Sequence, residues 1–142
     1  MEYKLERFRA AQRGCYEEAL AEMRRGRKNG HWMWYIFPQL SGLGMSATSL
    51  YYGIRDLGEA RAYLEDPVLG ARLLEISETL LRIGTDNAGE VFWYPADLTL
   101  RSCMTLFAAA APEQRVFRQV LDKFFGGEAD SATLSMLGMD EL

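Results

Sequence analysis

The chain has 142 residues, of which 49% are hydrophobic and 25% are charged, and its formal net charge is −4 at pH 7. This length and composition predict a single domain, residues 1–142, with its own core, and they exclude a disordered or fibrous protein. The N-terminus shows no signal peptide, and proline and glycine interrupt the only long uncharged zone. We therefore expect a cytoplasmic protein without a membrane span.

The first predicted element is an amphipathic helix from about Leu5 to Gly26 or Gly30, because apolar residues recur there every three or four positions. It ends in the basic run RRGRK, Arg24–Lys28. That run is either a helix C-terminus, whose dipole favours cations, or a patch that meets a phosphate. It is too isolated to form a nucleic-acid groove.

Start and stop signals predict the next two helices. Asp56 and Glu59 form a capping box that opens one of them. Asp66 followed by Pro67 caps the other, whose natural end is Gly84.

Similar signals predict the helices of the C-terminal third. Asp97 is expected to cap a helix that ends in the alanine run Ala108–Ala111. After Pro112, a further helix ends at Gly126–Gly127, and a short last helix follows Asp130. Two segments are strand candidates, namely Trp32–Phe37 and Val91–Tyr94. The sequence therefore predicts a mainly α-helical, single compact domain of about six helices, with an aromatic, glycine-containing loop region between the first two.

That loop region contains HWMWYIFPQLSGLG, His31–Gly44, which has no charged residue but holds the only histidine and two of the three tryptophans. Tryptophan and tyrosine bury large areas and are most often core residues. Together with a glutamine and glycines, they are also what a pocket uses to stack a planar ring. The stretch is either core or a ligand site, and both interpretations stay open.

A glycine turn follows these aromatic residues. Gly42, Gly44 and Ala47 match the loose dinucleotide-binding pattern G-x-G-x-x-A, but the chain lacks the alternating strands and helices of a Rossmann sheet. Glycines beside a helix N-terminus still expose backbone N–H groups to an anion, and Ser46 can be a cap or a ligand. A single histidine without a cysteine cluster predicts no metal site, and we expect no cofactor.

Four motifs follow one another along the chain. They are LERFRAAQ at Leu5–Gln12, HWMWYIFPQLSGLGMS at His31–Ser46, EARAYLEDPVLGARL at Glu59–Leu73 and LRSCMTLF at Leu100–Phe107. In this order they resemble the family called domain of unknown function 1810, over nearly the whole chain; that resemblance implies no activity. An F-x-x-A-Q helix with a basic end and a later KFFGG at Lys123–Gly127 give a weaker resemblance to the NADAR superfamily. This second resemblance implies a helical fold and N-glycosidic cleavage of ribose-phosphate compounds.

Two functions of different classes follow. The first is binding, or processing by an N-glycosidase or hydrolase, of a nucleotide-like or phosphorylated small molecule such as an ADP-ribose or ribose-phosphate derivative, in a pocket around residues 28–46. His31 and Asp97 are its candidates for proton transfer. The candidates for ligand binding are Lys28, Trp32, Trp34, Phe37, Gln39, Gly42, Gly44 and Ser46. The second function is that of a non-enzymatic interaction module, in which the aromatic segment is only core; the oligomeric state stays open.

Overall fold

The computed structural model describes residues 3–142, and the regular structure of that part of the chain is helical. The helices are α1 (Glu6–Gln12), α2 (Tyr16–Arg25), α3 (Met33–Ile36), α4 (Ala47–Tyr51), α5 (Leu57–Glu65), α6 (Leu69–Arg82), α7 (Ala88–Phe92), α8 (Ala96–Ala110), α9 (Arg115–Phe125) and α10 (Ser131–Leu137). The mainly α-helical prediction is confirmed, although residues 3–142 contain ten helices instead of about six. Several of the additional helices are single turns, too short to show a helical period in the sequence.

The predicted N-terminal helix is divided in two. Gly14, between α1 and α2, has a φ of 83°, a left-handed conformation that a right-handed helix cannot continue. The apolar face nevertheless runs through both pieces, since Phe8 in α1 and Met23 in α2 are fully buried. Gly26, with a φ of 77°, ends α2, so the basic run begins as a helix C-terminus.

Both strand predictions are wrong. The segment Trp32–Phe37 contains α3, and Val91–Tyr94 contains the last two residues of α7. Short apolar runs suit a buried helix as well as a strand, and a strand needs a partner for its backbone hydrogen bonds. Between residues 3 and 142 the only β pairing is an isolated parallel bridge between Leu40 and Ile54.

The predicted caps at Ser46 and Asp56 are confirmed, because each side-chain oxygen accepts a hydrogen bond from the backbone N–H three residues later, that of Ser49 and that of Glu59. Asp66 accepts from the N–H groups of Val68 and Leu69, although α6 begins only at Leu69, with Val68 in the N-cap position. Asp130, after which a short last helix was predicted, caps α10 through the N–H of Thr133. These signals are local, so a sequence can specify them without knowledge of the packing.

The predicted cap at Asp97 is wrong. Helix α8 begins one residue earlier, at Ala96, with Pro95 in the N-cap position. At Asp97 the backbone has already entered the helix, and its N–H donates to the carbonyl of Trp93 at 3.1 Å. Within residues 3–142, the Oδ1 atom of Asp97 is buried and has no hydrogen-bond partner.

Helix α8 lies at the centre of the core. It packs against α5, α7, α9 and α10, while α6 packs against α2, α5 and α9. Four residues that recur at helical spacing along α8 are fully buried, namely Leu100, Cys103, Met104 and Phe107. Over the part of the chain that the structure describes, no helix is long and apolar enough to cross a bilayer.

Candidate ligand cleft

An open cleft of about 810 Å³ lies among the loop after α2, the segment from α3 to α4, the segment from α7 to α8 and the start of α10. Its volume is in the range of small-molecule sites. Five of the residues predicted as site residues line it, namely Lys28, His31, Trp34, Gln39 and Gly44. The structure thus brings half of the predicted set into one cleft.

A buried carboxylate shapes the loop after α2. Glu22 is 1% exposed. Its Oε1 atom accepts hydrogen bonds from the backbone N–H groups of Asn29 at 2.6 Å and Gly30 at 2.9 Å, and from the indole Nε1 of Trp32 at 3.0 Å. Burial acts to raise the pKa of Glu22, but these hydrogen bonds stabilise the charged form and the net pKa is lowered. The carboxylate therefore fixes the backbone directly before His31 and the side chain directly after it.

Lys28 supplies a cation to the wall of the cleft. Its backbone N–H donates to the carbonyl of Val91 at 2.7 Å, which docks the loop on α7. Its Nζ donates to the carbonyl of Gly30 at 2.5 Å and lies 5.3 Å from the ring centroid of Trp32. Burial lowers the pKa of Lys28, and the charge of Glu22 acts in the opposite direction. Since an ammonium has three donors, two remain for an anion.

The aromatic residues of the opening motif divide between core and cleft. Trp32 is 3% exposed and Phe37 is fully buried, with its ring 5.8 Å from that of Phe92 in an edge-to-face contact. Trp34 is partly exposed and lines the cleft. Trp32 and Phe37, predicted as ligand-binding residues, thus lie in the core at the two ends of α3, whereas Trp34 within that helix lines the cleft.

Gln39 is positioned by the bridge between Leu40 and Ile54. Its carbonyl accepts from the N–H of Ile54 at 2.9 Å, so the backbone is fixed while the amide lies at the cleft. A Cβ at Gly44 would come within 2.6 Å of the Ser49 Oγ and 3.5 Å of the Gln39 Nε2. Glycine at position 44 therefore lets the turn pass close to both polar groups.

Besides Trp32 and Phe37, three further predicted site residues lie outside the cleft. Gly42 and Ser46 do not line it, and Ser46 caps α4, a helix of only five residues. Asp97 lines a separate depression with Asp86 and Lys123, so the structure does not bring it together with His31. In residues 3–142 no group of three or more His, Cys, Asp or Glu side chains is arranged to hold a metal ion.

One wall of the cleft was not predicted from the sequence. It comes from the end of α7 and the start of α8, and its residues include Trp93, Tyr94, Pro95, Thr99 and Ser102. The segment FWYP resembles the earlier YIFP in placing aromatic residues directly before a proline. That similarity is the one sequence signal that could have pointed to it.

Two comparisons with known proteins find matches. The model of the family described as "Protein of unknown function (DUF1810)" matches residues 2–137. The crystal structure of a conserved hypothetical protein from Mycobacterium tuberculosis is 43% identical in sequence, with a TM-score of 0.94, over 96% of this chain and 98% of that one. No curated protein matches the chain.

Proposed function

The chain belongs to the DUF1810 family, and we propose that it binds a small molecule in which a planar ring is joined to a phosphate, as in a nucleotide. The binding site is the cleft that Lys28, Trp34 and Gln39 line. One observation carries the proposal: the cleft gathers a cation, aromatic rings and polar side chains that make no hydrogen bonds within the protein.

Two polar side chains elsewhere in the fold show the usual internal pairing. The guanidinium of Arg7 donates four hydrogen bonds, and the buried amide of Gln12 donates to Tyr35 and Tyr63. Within residues 3–142, by contrast, no such partner is present for the side chains of His31, Trp34, Gln39 and Thr99, all of which line the cleft. Trp34, Gln39 and Thr99 are partly buried, and folded proteins usually pair polar groups that lose contact with water, so this convergent set favours a ligand as the partner.

The phosphate is assigned to the side of the cleft formed by the loop after α2. Lys28 contributes an ammonium with two unused donors, and His31 adds an imidazole from the same loop. Charge-assisted hydrogen bonds to phosphate are about twice as strong as neutral ones. The half-buried position of Lys28 strengthens such a bond further, because fewer water molecules screen it.

The ring is assigned to the aromatic part of the cleft. Trp34 offers a partly exposed indole, and Gln39 offers an amide with both donors and acceptors for the edge of a heterocycle. When a ligand binds, the Gln39 amide exchanges its hydrogen bonds with water for hydrogen bonds with the ring. It therefore favours rings whose donors and acceptors match its own.

We propose ligand binding alone and no cleavage of a bond in the ligand. The N-glycosidic reaction that the NADAR resemblance implies would use a proton-transfer group beside the substrate, and His31 lines the cleft. The second candidate, Asp97, lines a different depression, so the pair does not act on one ligand in this arrangement.

Isothermal titration calorimetry with AMP, adenosine and ribose 5-phosphate tests the proposal. We expect AMP to bind most tightly, because it alone carries both ring and phosphate. Lys28→Ala and Gln39→Ala should each weaken AMP binding by about tenfold, which corresponds to about 1.4 kcal/mol.

Two matched variants control for nonspecific effects. Lys4 and Gln114 are exposed and do not line the cleft, so Lys4→Ala and Gln114→Ala should leave the affinity for AMP unchanged. Absence of binding of all three compounds to the wild-type protein would contradict the proposal and favour the interaction module.

A further inference from the structure

We infer that the ligand ring stacks on Trp93, and that Arg27, packed on this indole, is a positioning residue. The inference rests on the proposed function, because it assigns two further roles at the same cleft. Trp93 lies outside the aromatic stretch for which the sequence predicted a ligand contact, whereas Arg27 belongs to the basic run Arg24–Lys28, for which a phosphate contact was one of two interpretations.

The backbone of Trp93 adopts a conformation that favours glycine. Its φ of 63° and ψ of 152° lie in a region that side chains with a Cβ rarely occupy, and among residues 3–142 it is the one non-glycine residue with a positive φ. Two hydrogen bonds hold it there: its N–H donates to Gly89 at 3.0 Å, and its carbonyl accepts from Asp97 at 3.1 Å. Glycine would fit this position without strain, so the tryptophan is explained by what its side chain does.

The indole of Trp93 is placed for contact with a ligand. Trp93 is 54% exposed and lines the cleft. Large aromatic residues of the core, such as Trp32, have buried rings. The half-exposed indole of Trp93, by contrast, presents a large aromatic face on which a planar ligand ring can stack. Trp34 and Trp93 come from different segments of the cleft wall, α3 and the connection from α7 to α8.

Arg27 fixes the orientation of that indole. The guanidinium carbon of Arg27 lies over the Trp93 ring, 5.2 Å from its centroid, and Arg27 does not line the cleft, so it contacts the indole without occupying the ligand space. The backbone of the loop reinforces this contact, because Lys28, the next residue, is bonded to Val91. An indole held in one orientation before binding loses less conformational entropy when the ligand arrives.

The experiment compares Trp93→Ala, Trp93→Phe and Trp93→Gly with the wild-type protein, using the same three compounds in calorimetry and thermal denaturation without ligand. Trp93→Ala should weaken adenosine and AMP binding at least tenfold and leave ribose 5-phosphate, which has no base, unchanged. Trp93→Phe should stay within about threefold of wild type, since it keeps a ring that stacks. Trp93→Gly should bind like Trp93→Ala but melt at a higher temperature, because glycine relieves the backbone strain.

Arg27→Ala should weaken the binding of adenosine about threefold and leave the binding of ribose 5-phosphate unchanged. If Arg27 instead contacted the ligand only through its charge, the substitution would weaken the binding of the phosphate compounds. Arg24→Ala, an exposed arginine of the same basic run, is the matched control and should change neither.

Three results would overturn the inference. Unchanged adenosine affinity in Trp93→Ala, with wild-type binding intact, contradicts the stacking role but leaves the proposed function standing. An equal loss for ribose 5-phosphate shows that the substitution damages the fold of the cleft. A wild-type protein that binds none of the compounds contradicts the proposed function and this inference together.

Discussion

Glu22 holds one wall of the cleft in place, although it does not line the cleft itself. Its carboxylate accepts three hydrogen bonds from the loop that carries Lys28 and His31. In the sequence it is one of several glutamates on an amphipathic helix, and nothing local marks it as buried. Its role arises only when the chain folds back beyond Gly26.

Replacing Glu22 by glutamine should lower the free energy of unfolding by about 1–3 kcal/mol at pH 7, because three donors lose a charged acceptor. Since its pKa in the folded state is lowered, the stabilisation is fully present above the ordinary value of 4.5 and is lost as the pH falls through the folded-state pKa. Urea unfolding of wild type and Glu22→Gln between pH 7 and 3 should therefore show a difference that shrinks towards acid. Glu17→Gln, at an exposed position of the same helix, is the control; a constant difference at all pH values would contradict the assignment.

Lys28 gives a prediction in the alkaline range. Burial lowers its pKa below the ordinary 10.5, so the free protein loses this ammonium at a lower pH than it would lose a solvated lysine. Phosphate monoesters are already dianionic above about pH 7. The affinity for AMP should thus fall as the pH rises through the pKa of Lys28, while Lys28→Arg, which stays charged, should lack this fall. Titration calorimetry between pH 7 and 10 measures the affinity of both proteins for AMP. An identical pH dependence in wild type and Lys28→Arg would show that Lys28 does not contact the phosphate.

At the scale of elements, the single turn α3 separates the structural from the ligand-facing aromatic residues. The segment His31–Gly44 is partly core and partly cleft wall, because Trp32 and Phe37 are buried while Trp34 lines the cleft. Trp32 and Trp34 are two positions apart, but their side chains leave the backbone in different directions and therefore have different neighbours.

Phe37→Ala should therefore destabilise the protein by about 3–5 kcal/mol, as expected for a buried aromatic residue, whereas Trp34→Ala should cost clearly less and weaken AMP binding. Chemical denaturation with parallel calorimetry measures both effects. The interaction-module hypothesis predicts a different result: Trp34→Ala would unfold the protein much as Phe37→Ala does, and no AMP binding would exist to be lost.

Most elements could be predicted from the sequence, and the failures have a common physical cause. The caps at Asp56 and Asp130 and the left-handed ends at Gly26 and Gly126–Gly127 were predictable, because each depends on residues within about four positions. The supposed cap at Asp97 failed because the neighbouring Trp93 and Pro95 determine where α8 begins. The strand predictions failed because no partner strand exists for them in residues 3–142.

At the scale of the whole molecule, the cleft joins three segments that are distant in the chain, namely residues 28–49, 92–102 and 130–132. The loop after α2 meets helix α7 through the hydrogen bond between Lys28 and Val91, more than sixty positions apart. A ligand in this cleft would contact all three segments at once, and so it would bind the folded chain but not the unfolded one.

Binding should accordingly raise the melting temperature by mass action. A ligand at a hundred times its dissociation constant adds about 2.7 kcal/mol to the free energy of unfolding, a shift of several degrees for a chain of this size. Differential scanning fluorimetry should show this rise for AMP in wild type and Lys4→Ala, and a smaller one in Gln39→Ala. A rise that is equal in all three proteins would place the binding site elsewhere.

The sequence by itself determined the helical class, most helix boundaries and the importance of the stretch from His31 to Gly44, because periodicity, caps and composition act over a few residues. Only the tertiary structure decided which of the aromatic residues face the cleft. It also placed Trp93 in that cleft and Asp97 outside it. These outcomes depend on how α3, α7 and α8 pack around a common core, and a side chain's exposure there is fixed by neighbours that lie far away in the chain.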